Sequence, residues 1–193
     1  MGSDPARRLA AIVEGHGETA SFGVLARRLL PAIEVLPPLR IKRQRIVRSG
    51  EIERAVEFAA RKLGGVGGVV VLLDADRDCP AELGPALLAR ARAARADVST
   101  TVVLAKPELE AWFVAALESL RGQRNIPWSA HPPASLEDIQ NPKVYLSRLM
   151  GRRYHEPTDQ PALAAAFDMD LAARRSPSFA KLRRDLASMF PEP

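Results

Sequence analysis

Glu14 closes the apolar run Leu9–Val13 in "RLAAIVEGHGETAS", and Asp74 and Asp76 follow the apolar run Val69–Leu73 in "VVVLLDADRDCP". Short aliphatic runs of this kind read as buried strands, so three carboxylates stand at the ends of two strands. Residues two apart on a strand project the same way, and carboxylates about 5 Å apart repel by roughly 3 kcal/mol at an effective dielectric of 20. A cation or a shared proton offsets that repulsion, and oxygen ligands select a hard ion, Mg²⁺ or Mn²⁺. The alternative is that Asp74 and Asp76 cap the turn and helix that follow them. Glu14, at the end of a second strand, favours the cation. Glu18 lies four residues further on, and "AKPELEAWF" adds Lys106, Glu108 and Glu110 after another apolar run. Acids in a first helical turn are favoured by the helix dipole. Two positions on a helix differ by about 200°, so Glu108 and Glu110 do not both face the cluster. Glu110, directly before Ala111, Trp112 and Phe113, is expected to point at it and Glu108 at solvent.

Other chemistries fit less well. "EGHGETAS" lacks the lysine and the glycine spacing of a Walker A loop. Gly15 and Gly17 match the first two glycines of a dinucleotide fingerprint, but Ala20 replaces the third, and Glu14 and Glu18 would meet a pyrophosphate with the wrong sign of charge. His16, His131 and His155 share no metal-ligand spacing, and Cys79 reads as a small buried side chain beside the aspartates. Arg40, Lys42, Arg43, Arg45 and Arg48 form a basic stretch in which Lys42, Arg43 and Arg45 could track a phosphate backbone. The same charges would also defend a solvated edge strand.

The elements that must position these residues follow from periodicity. Strands are expected at Leu9–Val13, Leu39–Val47, Val69–Leu73 and Val98–Leu104, with Leu39–Val47 near a sheet edge and Val69–Leu73 central. Helices are expected from Thr19 to about Ile33, after a Ser49 cap to Leu63 and Gly64, from Gly84-Pro85 to about Arg95, and from Leu109 to about Leu120. Gly122–Ser135, rich in proline and polar residues, reads as a loop, and shorter helices follow at about Pro142–Met150, Pro161–Ala173 and Ser178–Ser188. Strands alternating with helices imply an α/β fold with a mostly parallel sheet flanked by helices. Such sheets bind ligands at the carboxyl ends of their strands. Residues 1–121 would form this α/β domain, and 122–193 a loop and helical appendage packed on it.

The bulk composition agrees: 193 residues, 47% hydrophobic and 26% charged, suffice for one core. No apolar run approaches the roughly 20 residues that span a bilayer, and "MGSDPARR" shows neither a signal-peptide core nor a myristoylation pattern. A single cysteine fits a reducing cytoplasm. The net charge of +5 permits an anionic partner without requiring one.

Glu14, Asp74 and Asp76 together resemble the acidic signature of Toprim domains, a Rossmann-like fold shared by topoisomerases, primases and overcoming-lysogenization-defect (OLD) nucleases, with a glutamate after the first strand and D-x-D after a later one. More closely, "VEGHGE", "DADRDCP", "ELEAWF", "NPKVYL" at 141–146 and "SPSFAKL" at 176–182 resemble the DUF4276 family of bacterial proteins. The resemblance implies Mg²⁺- or Mn²⁺-dependent phosphodiester hydrolysis, with nucleic acid as substrate and a partner ATPase in a bacterial phage-defence system. Glu14, Asp74 and Asp76 would be catalytic and hold the metal, with Glu18 and Glu110 completing the acidic shell and Lys106 neutralising the developing charge. Two other readings stand beside it: a non-catalytic regulatory or assembly subunit of an ATPase, and a small-molecule phosphotransferase or phosphatase. Tyr145 and Tyr154 show no sign of a topoisomerase's nucleophilic role.

Overall fold

The computed structural model describes residues 7–191 except 65, 135, 137 and 138. Ser135, the expected end of the loop, and residues 1–6 of the N-terminal stretch therefore lie outside the described residues. Five strands form one sheet: β1 (Arg8–Val13), β2 (Glu34–Val35), β3 (Leu39–Arg40), β4 (Gly67–Asp74) and β5 (Ser99–Ala105). The strand order is β2-β1-β4-β5, with β3 also pairing β1, and every pairing is parallel. The α/β fold read from the sequence is thus the observed one.

Alternation along the strands divides the interior in two. Leu9, Ala11, Val13, Val70, Leu72 and Val103 face α1 (His16–Leu29) and the C-terminal helices. Ala10, Ile12, Val69, Val71, Leu73 and Val102 face α3 (Glu51–Leu63) and α4 (Pro80–Ala94). Each fully buried Leu, Ile, Val or Phe contributes about 1.5–3 kcal/mol, so both layers are needed to cover a sheet whose central strands are apolar on both faces.

The C-terminal segment belongs to the first layer. It comprises α6 (Pro142–Met150), α7 (Glu156–Ala166), α8 (Met169–Arg175) and α9 (Pro177–Met189). Phe167 and Phe179 pack with Phe113 and Trp112 of α5 (Glu110–Ala115), with ring centroids 5.1–5.4 Å apart. Asn141, Asp168 and Ser176 cap α6, α8 and α9 with their side chains. Arg28 of α1 donates to the carbonyls of Ala164 and Phe167, satisfying the end of α7.

Several expectations are corrected. The stretch Leu39–Val47 is not one strand: after Ile41 donates to Val13, β1 offers no further partner, and the chain turns into the short α2 (Arg43–Ile46), burying Ile46. Ser49 does not cap α3; Gly50, at φ 76°, occupies that position. Helix α4 begins at Pro80, not at Gly84-Pro85, because a proline in the first turn needs no N–H partner. The expected helix Pro161–Ala173 is two helices divided at the Asp168 cap, and Leu109–Leu120 is α5 followed by a 3₁₀ turn, Leu117–Leu120. Cys79 is exposed, not buried. None of the described helices is long and apolar enough to cross a membrane.

Candidate functional site

From β1 the chain enters α1 on one face of the sheet; from the adjacent β4 it enters α4 on the other. Helices diverging from neighbouring parallel strands open a crevice at the strands' carboxyl ends. Glu14 directly follows β1 and Asp74 is the last residue of β4, so both stand at this crevice.

"EGHGE" folds as it does for a steric reason. A Cβ on Gly15 would lie 2.3 Å from Glu18 Oε2, so only glycine lets the Glu18 carboxylate turn back against the backbone. A Cβ on Gly17 would lie 2.6 Å from Gln160 Oε1 and 3.1 Å from Glu156 Cβ, so Gly17 sets how closely α7 approaches α1. Gln160 cannot easily move aside, since its oxygen accepts from Ser21 Oγ at 2.8 Å and its amide donates to Glu110 Oε1 at 2.9 Å. Gly17→Ala is therefore expected to lower stability by about 1–2 kcal/mol despite alanine's better helix propensity. Chemical denaturation of the variant and the parent checks this; equal stability would show that the α1–α7 contact is slack.

The inner part of the cluster is buried. Glu110 is 0% and Glu18 4% exposed. Burial, then the charges of Glu110 and Glu18, raise the Asp74 pKa well above the usual carboxylate range. Burial pushes Glu110 up to about 7, with Lys143 opposing and Glu108 adding to the rise. Asp74 Oδ1 also accepts the Leu109 amide at 2.9 Å, which ties the end of β4 to the start of α5. Glu110 thus turns inward as expected. Glu108 does not face solvent: it accepts the Lys143 amide at 2.8 Å and its carboxylate lies 3.3 Å from Lys143 Nζ. The acid binds the start of α6, where unpaired amides attract negative charge.

Lys143 is the group that sequence reading missed. Its ammonium stands 3.8 Å from Glu110 Oε2 and 3.1 Å from Glu156 Oε1, besides Glu108. Burial works against that charge, yet Glu110, Glu108, Asp74 and Glu156 hold the Lys143 pKa well above its ordinary value. The stretch "NPKVYL" stood out in the sequence, but nothing local placed its lysine among acids that lie about 35 residues earlier. Gln160 and Tyr154 were missed for the same reason; burial and then Glu110 raise the Tyr154 hydroxyl.

The outer part lies along the loop after β4. Asp76 has φ 51°, a left-handed conformation that aspartate tolerates better than most residues. Arg43 pairs with Asp76 at 3.5 Å and with Asp78. Lys106 Nζ donates to the carbonyls of Asp76 and Asp78, both at 3.0 Å, so it clasps the loop. Burial, then Asp76, raises Glu14, with Glu18 adding to the rise and the backbone amides of Arg43 and Asp74 drawing it back. Of the basic stretch, Arg43 belongs to this loop, Arg45 pairs with Glu51 at 2.6 Å, and Lys42 is exposed. His16 is exposed on the first turn of α1.

Among the described residues, no group of three or more acids, histidines or cysteines is placed to hold a metal ion. The donor set nevertheless fits a hard divalent ion. Glu14 Oε2 and Glu18 Oε2 are buried without a hydrogen-bond partner, and carboxylate oxygen is the donor Mg²⁺ takes. Mg²⁺ keeps several waters and needs only one or two carboxylates.

Beside the loop, an open groove of about 1980 Å³ runs between α4 and α9 over β5. Arg77, Lys106, Lys181 and Arg184 line it together with Asp76 and Glu108.

Neither a curated protein nor a solved structure matches the chain. A family model described as a domain of unknown function, DUF4276, matches residues 13–187, so the chain, from the end of β1 to α9, belongs to the DUF4276 family.

Proposed function

We propose that this protein is a Toprim-type, divalent-metal-dependent phosphodiester hydrolase acting on nucleic acid. The observation that carries the reading is the pair of buried, unpartnered carboxylate oxygens, Glu14 Oε2 and Glu18 Oε2, in the crevice between β1 and β4. Unpaired buried polar atoms cost about 1–3 kcal/mol each, and a bound ion would relieve that cost. Of the acids that carry the Toprim resemblance, Glu14 and Asp74 stand at the ends of two hydrogen-bonded parallel strands, and Asp76, which was expected to project from β4 beside Asp74, lies exposed in the loop two residues beyond it.

Glu14, Asp74 and Asp76 would hold Mg²⁺ or Mn²⁺, with Glu18 at its rim. When bound, the ion polarises the phosphate and offsets the charge that develops on its oxygens. Glu14, with its affinity for protons raised by burial, accepts a proton from the attacking water. Water oxygen bonds to phosphorus, the bond to the leaving oxygen breaks, and that oxygen takes up a proton from solvent. Lys106 and Arg43 hold the Asp76–Asp78 loop in place during this step.

The groove over β5 offers a concave surface for substrate where Arg43, Arg77, Lys106, Lys181 and Arg184 gather, with Lys181 and Arg184 also paired to Asp185; the stretch 40–48 is a second candidate. Purified protein with Mn²⁺ is expected to cut nucleic acid, alone or with a partner ATPase. Mn²⁺ binding without cleavage under either condition would favour a non-catalytic subunit. Arg77→Gln combined with Arg184→Gln is expected to lower the slope of log affinity against log salt by about one unit per lost phosphate contact, measured by fluorescence anisotropy. Loss of slope on replacing Lys42, Arg43 and Arg45 instead would move the nucleic acid to that stretch.

A further inference from the structure

We infer that Trp128 and the arginine pair Arg124 and Arg152 form a binding site for a single-stranded segment of nucleic acid, in which a base stacks on the indole and a neighbouring phosphate meets the guanidiniums. The inference rests on the nucleic-acid reading above and adds to it the form of the substrate and a second place where the chain holds it.

The stretch "RGQRNIPWSAH" carries the indole. Tryptophan is highly buried on average, yet Trp128 is 78% exposed, the most exposed large apolar side chain among the described residues. Its position is fixed nonetheless. Gly122, at φ 79°, packs against the ring: a Cβ there would lie 2.9 Å from Trp128 Cζ2. The Gly122 amide donates to the Ile126 carbonyl and the Ile126 amide to the Gln123 carbonyl, both at 2.8 Å. That turn sets Arg124 and Asn125 at φ 47° and 68°. Two successive left-handed residues, one of them an arginine, are costly and persist only where their surroundings hold them. Beyond the ring, Arg121 Nε donates to the Ala130 carbonyl at 2.7 Å and a second nitrogen of Arg121 lies 2.8 Å from His131 Nδ1. The Tyr145 hydroxyl donates to the His131 carbonyl at 3.1 Å. Both ends of the segment that presents the indole are therefore tied down.

Fixed positive charge stands in the same turn. Arg124 and Arg152 both bond Asp159, which is 0% exposed. Their own side chains remain 38% and 35% exposed. Two guanidiniums on one carboxylate leave a net positive charge, held in place and open to solvent, and planar guanidiniums suit phosphate oxygens. Apart from Pro127, the exposed side chains around Trp128 in the sequence are polar or cationic: Gln123, Arg124, Asn125, Ser129 and His131. The ring does not belong to an apolar patch of the kind that a protein partner covers. An aromatic face with cations beside it is how single strands are held without regard to sequence, and a paired, stacked base cannot reach such a face. Pro132 and Pro133 line the groove over β5. Pro132 is four residues from Trp128, hence at most about 14 Å away, so a strand that leaves the groove at this wall meets the indole.

Tryptophan fluorescence of the full chain tests this, because Trp112, the other tryptophan, is fully buried and reports on the fold. Titrations use a short oligothymidylate and a duplex of the same length in Mg²⁺, with Glu14→Gln as the background so that strands stay intact. The oligothymidylate is expected to quench the emission of the exposed indole. Adding Trp128→Leu is expected to abolish that quenching and weaken single-strand binding about 5- to 150-fold, with duplex binding kept within about threefold. Trp128→Phe, which keeps an aromatic face, is expected to restore most of the affinity. Arg124→Gln, which leaves Arg152 on Asp159, is expected to lower the salt slope for the single strand by about 0.7. Unchanged single-strand affinity in Trp128→Leu, or an equal loss for the duplex, would overturn the inference while leaving nucleic-acid binding intact. Binding of neither form by the background protein would overturn the nucleic-acid reading itself and leave the indole to a protein partner.

Discussion

Glu14→Gln is expected to leave the protein folded and to reduce Mn²⁺-dependent cleavage of nucleic acid by about 10²- to 10⁴-fold, the range for losing a positioned proton acceptor. The substitution is nearly isosteric and removes a charge that burial and Asp76 already disfavour, so the fold loses nothing by it. Thermal stability of the metal-free variant should equal or exceed the parent's. Asp74→Asn is expected to act differently. It keeps an oxygen able to accept the Leu109 amide, and it weakens Mn²⁺ binding as well as cleavage. Single-turnover rates at saturating Mn²⁺ separate the two effects: Glu14→Gln stays slow however much ion is added, and Asp74→Asn recovers in part. Cleavage by Glu14→Gln at the parent's rate would remove Glu14 from the chemistry.

The second large effect concerns pH. Glu110 is expected to titrate near 7 in the folded chain against 4.5 when solvated. Between those values the folded state retains a proton that the unfolded state has released, so stability falls as pH rises through this window. The fall from Glu110 alone is on the order of 3 kcal/mol, and the raised Asp74 and Glu14 act in the same direction. Asp159, held low by Arg152, the His155 amide and Arg124, works the other way: its contribution is present above the usual carboxylate range and is lost only as pH drops below it. The Lys143 contribution persists to pH values above 10.5. The metal-free protein should therefore melt several degrees lower at pH 8 than at pH 5.5, since about 1 kcal/mol shifts Tm by roughly 2–4 °C at this size. Glu110→Gln should flatten that profile, and Mn²⁺ should raise Tm most at pH 8, where the carboxylates it binds are ionised. A Tm that rises from pH 5.5 to pH 8 would show that the inner acids are already neutralised by the lysine.

The sheet was legible because β1, β4 and β5 are buried on both faces and read as continuous aliphatic runs. The acids at their ends were legible for the same reason: a carboxylate that interrupts such a run has few structural uses. Leu39–Val47 misled because apolar and basic residues interleave there in a strand-like way, while the length of β1, set elsewhere in the chain, decides how far β3 can pair. Glu108 misled because its partner, the start of α6, is supplied by residues about 35 positions later. Lys143, Glu156 and Gln160 reach the site from helices whose sequences carry no local mark of it; a helix pattern shows which face is apolar, not which polar side chain meets a distant acid.

Lys143, Glu156 and Gln160 also give the site a history during synthesis. The chain grows from its N-terminus at about 5–20 residues per second, so Glu14, Glu18, Asp74 and Glu110 all emerge before the first residue that neutralises them. Until α6 and α7 arrive, the sheet face lined by Leu9, Val70, Leu72 and Val103 lacks part of its cover, and the acids at its edge lack their ammonium. A nascent chain ending near residue 121 therefore holds an incomplete core and an unbalanced cluster of negative charge. The cluster therefore reaches its final arrangement only once α6 and α7 have docked.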